Sequence, residues 1–314
     1  MSVPLSPATP ATPATPGMPA CAEPAAAAPA FALAEGKPSA LRVLYADASL
    51  AVVDKPAGLM VHDSALARGE TDFAADRLRE QFGKPIFLVH RLDRATSGCL
   101  LLAFDRDTAS ALGRMMMSRA IGNPDPVDAR RGSEAAGQAA FDGVGCERPP
   151  IDQAPLDRAA FDKRAFDKDY WAICRGWPEE HFVVDHDLDG GPGKPVKKPA
   201  VTAFTRLATA ELAWPSAGFE TSRYALLCAQ PQTGRFRQIR RHLKHVFHHL
   251  IGDTSHGDGR HNRQFRMLGV HRMLLHARRL AFVHPGTGER VDVSAPVDAE
   301  FARALALFEA APAA

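Results

Sequence analysis

Strand-length apolar runs outnumber helical ones along this 314-residue chain, and the two kinds do not alternate. "LRVLYADASLAVVDKPAG" (41–58) reads as strand, turn and strand, closed by Pro56 and Gly58. Further strands are expected in "CLLLAFD", "KDYWAICRGW", "PAVTAFTRLATAEL", "SRYALLCAQ", "MLLHARRLAFVHP" and "RVDVSAP". Helical spacing marks "TDFAADRLREQF", where Ala74, Leu78 and Phe82 share a face and Thr71 or Asp72 can cap it. It also marks "DTASALGRMMMSRA", "GRFRQIRRHLKHVF" and "AEFARALALFEA", whereas residues 252–262 read as a Gly- and His-rich loop. Strict alternation would build a doubly wound sheet; its absence points to an α+β fold.

Composition divides the chain. Residues 1–34 hold no Lys or Arg and a single acid, Glu23, among Pro, Ala and Thr. Such a stretch buries too little apolar surface to offset its ordering entropy, so residues 1–38 are expected to be a disordered tail ahead of one domain at 39–314. Residues 121–163 lose all periodicity and read as a flexible insertion within that domain. The tail lacks both the basic start and the apolar core of a secretory signal. No apolar run reaches the roughly 18 residues of a membrane span. Five cysteines at 21, 99, 146, 174 and 228 form no C-x-x-C pair and suit a reducing, cytoplasmic setting.

Net charge is only +2, but its distribution is uneven. Residues 221–290 carry 13 Lys and Arg against Asp253, Asp258 and Glu289, a surplus of ten positive charges, and nine of the 13 histidines. That is the footprint of a polyanion-binding face.

The densest group of reactive side chains is "VHRLDRATSG" (89–98), which sets Asp93 between two arginines at the mouth of an apolar strand. Together with "KDYWAICRGW", "TGRFRQIRRHL" and "IGDTSHGD", in that order, it resembles the RluA-type family of pseudouridine synthases from about Leu41 to the last strand. "KKPAVTAFTRLAT", "RRHLKHVFHHLIGDTSHGDGRHNRQF" and "LLHA" are most similar to the branch acting on tRNA uridine 65. The resemblance implies the pseudouridine synthase catalytic fold, a mixed, mainly antiparallel sheet flanked by helices. It also implies isomerisation of a uridine already in RNA, without a metal or organic cofactor. RNA is the implied partner, tRNA ahead of 23S rRNA, with no obligate protein partner and no membrane.

By the same resemblance Asp93 is the catalytic carboxylate, acting as a nucleophile at C1′ or a base at C2′. A carboxylate closed over by a base loses hydration and needs a fixed cation, and Arg240 matches that position. Tyr170 matches the family's active-site tyrosine, whose ring stacks on the flipped uracil near the departing C5 proton. Arg91 is placed to enter the stack vacated by the base. His90, Thr96, Ser97 and Gly98 are expected to support the aspartate loop. Lys168, Arg235, Arg237, Arg241 and His242 are expected to contact RNA or support those that do. The family usually has His at position 237, where this chain has Arg.

Two other readings meet the same residues. His242, His245, His248, His249, His256 and His261, with Asp253 and Asp258, could suggest a metal site. No H-E-x-x-H pattern occurs, and Arg240, Arg241 and Lys244 interleave with these histidines, so no metal is expected. A non-catalytic RNA-binding protein would have no need of the Asp93, Tyr170 and Arg240 set.

Overall fold

The computed structural model describes residues 40–63, 69–118, 165–216 and 218–309. The expected tail (1–38) and insertion (121–163) lie outside the described residues. Strands β1 (Arg42–Ala46) and β2 (Leu50–Lys55) form the N-terminal hairpin. Then come α1 (Ala74–Phe82), β3 (Phe87–Leu88), β4 (Ser97–Ala103) and α2 (Arg106–Ser118). Strands β5 (Phe166–Arg175), β6 (His181–Asp185), β7 (Leu188–Asp189), β8 (Lys197–Lys198), β9 (Val201–Leu212) and β10 (Ser222–Pro231) follow. The rest is α3 (Gln238–His245), α4 (Gly259–Met267), β11 (Leu275–Val283), β12 (Arg290–Ser294) and α5 (Ala299–Glu309).

Among the described residues ten strands make one sheet in the order β1-β2-β4-β11-β5-β10-β9-β6, with β3 paired to β4 and β12 to β11. Strands β7 and β8 pair apart from it. Every pairing is antiparallel except β4 with β11. The continuous apolar runs in the sequence arise because the sheet is covered on both faces. In β4 every residue is buried. Leu100 and Leu102 pack with Ala74, Ala75 and Leu78 of α1, whereas Cys99, Leu101 and Ala103 join Leu112 of α2. In β10, Tyr224 and Leu226 meet Phe265 of α4 and Phe301 and Phe308 of α5, and Ala225 and Leu227 meet Ile239 and Leu243 of α3. Among the described residues no helix is long and apolar enough to cross a membrane.

Three local expectations differ from the structure. No side chain caps α1: its first backbone N–H groups, at Ala74 and Ala75, donate to the carbonyls of Met60 and Val61, and Asp72 pairs with Arg77 instead. Helix α3 is shorter than its pattern, because Arg237 sits in the left-handed region at φ 51° and the preceding residues make a turn. The expected loop at 252–262 ends in α4, started by Asp258, whose carboxylate accepts from the backbone N–H of Arg260. Its glycines masked a helix start that one aspartate suffices to set.

The parallel β4–β11 pair is the seam between two antiparallel half-sheets, and the aspartate loop enters the sheet there. Ser97 and Gly98 face His276 and Ala277 across it. Gly98 has φ +104°, and a Cβ on it would sit 2.3 Å from the Ala277 carbonyl oxygen. Gly98→Ala therefore combines a disfavoured backbone with a clash against main chain, a cost of roughly 3 kcal/mol or more. Urea unfolding should show a clearly lower midpoint; an unchanged midpoint would mean that the seam tolerates a side chain.

Candidate active site

The Asp93 loop is tied down from three sides. Lys55, fully buried at the end of β2, donates from Nζ to the carbonyls of Pro56 (2.8 Å), Leu59 (2.8 Å) and Arg94 (3.2 Å). Gly58 N–H donates to the Arg94 carbonyl, and Arg94 Nε returns a bond to the Gly58 carbonyl. Within the loop, the Thr96 N–H donates to the Asp93 carbonyl. His90 Nε2 accepts from the Leu101 N–H at 3.1 Å, fastening the start of the loop to β4. Burial, then the charge of Lys168, pushes the His90 ring down to about 3, so it stays neutral and keeps that acceptor. Ser97 Oγ lies 2.7 Å from His276 Nδ1 and accepts from Arg272 at 2.8 Å.

Held this way, the Asp93 carboxylate accepts from Arg240 Nη1 at 2.7 Å. The same guanidinium donates from Nε (2.6 Å) and Nη2 (2.8 Å) to the two oxygens of Asp253. Exposure separates the two acids: the Asp253 side chain is 0 % exposed and that of Asp93 29 %. Arg240 is thus gripped by a buried carboxylate and offers its remaining edge to one that opens on the cleft. Burial works against the charge on Arg240, but hydrogen bonds and charge from Asp253, then from Asp93, hold it above its usual value. Burial likewise opposes an ionised Asp253, yet Arg240 and the N–H groups of His256 and Ser255 hold it below the usual carboxylate range.

The sequence pattern singled out Arg240 but not its anchor. Asp253 belongs to "IGD", whose Gly252 takes φ +77° with no room for a Cβ, the Arg272 carbonyl oxygen being 2.0 Å from where one would sit. Asn262 of α4 clamps this turn, accepting from the Gly252 N–H (2.7 Å) and donating to the Asp253 carbonyl (3.0 Å). Gln238 was equally unmarked. Its buried amide accepts from the Thr233 hydroxyl and Arg235 N–H and donates to Val201 and Thr202, shaping the loop before α3.

Around Asp93 lies a cleft of roughly 280 Å³. Asp93 is the only carboxylate among the described residues that line it, against Arg91, Lys168, Arg235, Arg237 and Arg240. Lys168 and Tyr170 reach it from β5 at alternate positions, which share one face of a strand. Arg237 stacks over Phe236 and donates to Ser255. Two candidates lie apart: Arg241 is bound to the Asp189 carboxylate and carbonyl, and His242 is wholly buried with Nε2 3.2 Å from the His186 carbonyl. The other histidines of this segment also serve the fold. His248 and His249 bond to the carbonyls of Arg175 and His256, His261 bonds to the Tyr224 hydroxyl, and His245 stacks on His186.

Two outcomes follow. Asp253→Asn keeps the shape but leaves a buried guanidinium undercompensated, which should cost about 3 kcal/mol in urea unfolding; wild-type stability would show that Asp93 alone can hold Arg240. Burial holds His276 and His242 down to about 4, below the unfolded value of about 6.5. Between these values the unfolded chain binds more protons, so stability should fall as pH drops from 6.5 to 4. The non-titrating His276→Asn should flatten that loss, and an equally steep loss in this variant would assign it to other groups.

The family profile described as RNA pseudouridylate synthase matches residues 49–122 and 158–245. A tRNA pseudouridine synthase C of Vibrio parahaemolyticus is 36% identical over 87% of this chain and 96% of its own length. One from Salmonella typhimurium is 34% identical over 85% and 90%. In fold, the chain is similar to the human RNA pseudouridylate synthase domain containing 4, with a TM-score of 0.55 at 21% identity over 85% of this chain and 93% of that one. With the family profile matching half of the chain and a relative 36% identical over 87% of it, the chain belongs to the RluA-type RNA pseudouridylate synthase family.

Proposed function

We propose that this protein isomerises one uridine of tRNA to pseudouridine, at the uridine 65 position of the acceptor-stem region, with Asp93 as the catalytic carboxylate. The observation that carries the reading is a basic cleft whose single acid among the described lining residues is aimed by a guanidinium that a second, buried acid holds in place. The substrate assignment draws support from relatives named tRNA pseudouridine synthase C over most of the chain.

The reaction breaks C1′–N1, turns the uracil and forms C1′–C5; the proton on C5 leaves and one returns to N1, so no atoms are gained or lost. Reaching C1′ requires the uridine to leave its stack, at a cost of a few kcal/mol. Arg91, exposed at the cleft mouth, offers a planar cation for the gap. Asp93 then either attacks C1′ or removes the C2′ proton, and both routes need an ionised, fixed carboxylate. Arg240 supplies fixation and countercharge. Tyr170 offers its ring to the uracil and its hydroxyl to the C5 proton. Lys168, Arg235 and Arg237 suit flanking phosphates.

Asp93→Asn should abolish pseudouridine formation while RNA affinity stays near wild type, and more than a few per cent of wild-type turnover would remove Asp93 from the chemistry. Purified enzyme should modify unmodified tRNA transcripts in preference to 23S rRNA fragments at equal salt. Modification of the rRNA alone would overturn the tRNA assignment and leave the chemistry standing.

A further inference from the structure

Helix α3 starts at the cleft and ends in an unusual turn. Its last carbonyls are closed by the Phe247 N–H on the Lys244 oxygen (3.1 Å) and the His248 N–H on the Leu243 oxygen (2.9 Å). This two-bond motif places the residue after the C-cap in the left-handed region, a position normally given to glycine. Here it is Phe247, at φ 61°, with 74 % of its surface exposed. A bulky side chain there is strained, and an exposed ring recovers none of that strain by burial. Glycine would close the same turn without strain. Folding alone therefore gives no reason for the phenylalanine.

The surroundings indicate what covers it. Phe247 borders a cleft of roughly 400 Å³ between the exposed side of α3 and residues 186–188, where His186 and His245 stack at 3.8 Å between ring centres. Lys244, in the last turn of α3, is exposed and makes no ion pair with the described residues. Arg241 adds a second cation, tethered to Asp189. At 1.5 Å per residue, α3 sets Phe247 roughly 13 Å from Gln238 at the catalytic cleft, within reach of the same bound polynucleotide. An aromatic face beside a free cation is the pairing that takes up an unstacked base and its phosphate.

We propose that Phe247 and Lys244 form a second RNA contact, in which the ring stacks on an unpaired or terminal base of the substrate and the ammonium neutralises the adjoining phosphate. The inference rests on the RNA-modifying reading above, and adds to it a site that grips a nucleotide other than the target. It concerns affinity and placement of the RNA, not the chemical step.

Affinity for an unmodified tRNA transcript, single-turnover rate at saturating RNA, urea midpoint and oligomeric state should be measured for wild type, Phe247→Gly, Phe247→Trp and Lys244→Gln. Phe247→Gly should match or exceed wild type in stability and bind the transcript about ten-fold more weakly, with an unchanged saturated rate. Phe247→Trp should restore binding. Lys244→Gln should lower the slope of log affinity against log salt by about one. Wild-type affinity in Phe247→Gly overturns the inference, as does weaker binding that comes with a lower midpoint or a changed oligomeric state. Wild-type protein that binds the transcript without isomerising any uridine in it overturns the functional reading alone, whereas protein that binds no RNA overturns both.

Discussion

A guanidinium shared between two carboxylates of unequal exposure organises this molecule. Arg240 cannot be buried as a lone charge, and Asp253, with no exposure of its own, supplies two of its three charge-assisted bonds. The third goes to Asp93, the more exposed acid. This ordering matters chemically. If Asp93 were the main counterion of Arg240, its lone pairs would be committed to the ion pair. With Asp253 carrying most of the compensation, the bond to Asp93 orients a carboxylate that still faces the cleft.

The rest of the fold serves the two ends of that bridge. Asp93 enters on a loop that runs into β4 at the parallel seam with β11, tied to β2 by Lys55 and to β4 by His90. Asp253 enters on a turn that Asn262 clamps from α4 and that Gly252 allows to press against Arg272. Helix α3, seated on the sheet through Ile239 and Leu243, holds Arg240 between them. Three chain segments, one of them 147 residues before Arg240, thus meet at one guanidinium, and both carboxylates are fixed before RNA arrives.

Much of this was legible in the sequence. The apolar runs marked the strands because a sheet covered on both faces needs apolar residues at nearly every position. The group around Asp93, with Tyr170 and Arg240, carried the family resemblance. What could not be read was whatever depends on backbone partners. Helix α1 needs no capping side chain because Met60 and Val61 accept its N–H groups, and no local signal encodes that. Helix α4 begins between glycines that read as loop, and its stability comes from Asp258 and the burial of Phe265. Asp253 was visible as an acid among histidines, but its pairing with a residue 13 positions earlier on another element was not. Of the histidines that invited a metal reading, His242, His248 and His249 meet backbone carbonyls, His261 meets a tyrosine and His245 stacks on His186.

In the proposed chemistry Asp253 acts through Arg240 and not independently of it. A double-mutant cycle on the single-turnover rate of pseudouridine formation, using Arg240→Lys, Asp253→Asn and the double variant, tests this most directly. Once Lys has replaced the forked guanidinium, its anchor has little left to hold. The double variant should therefore be about as slow as the slower single variant. Rate losses that multiply across the two sites would mean instead that Asp253 and Arg240 support the reaction by separate means.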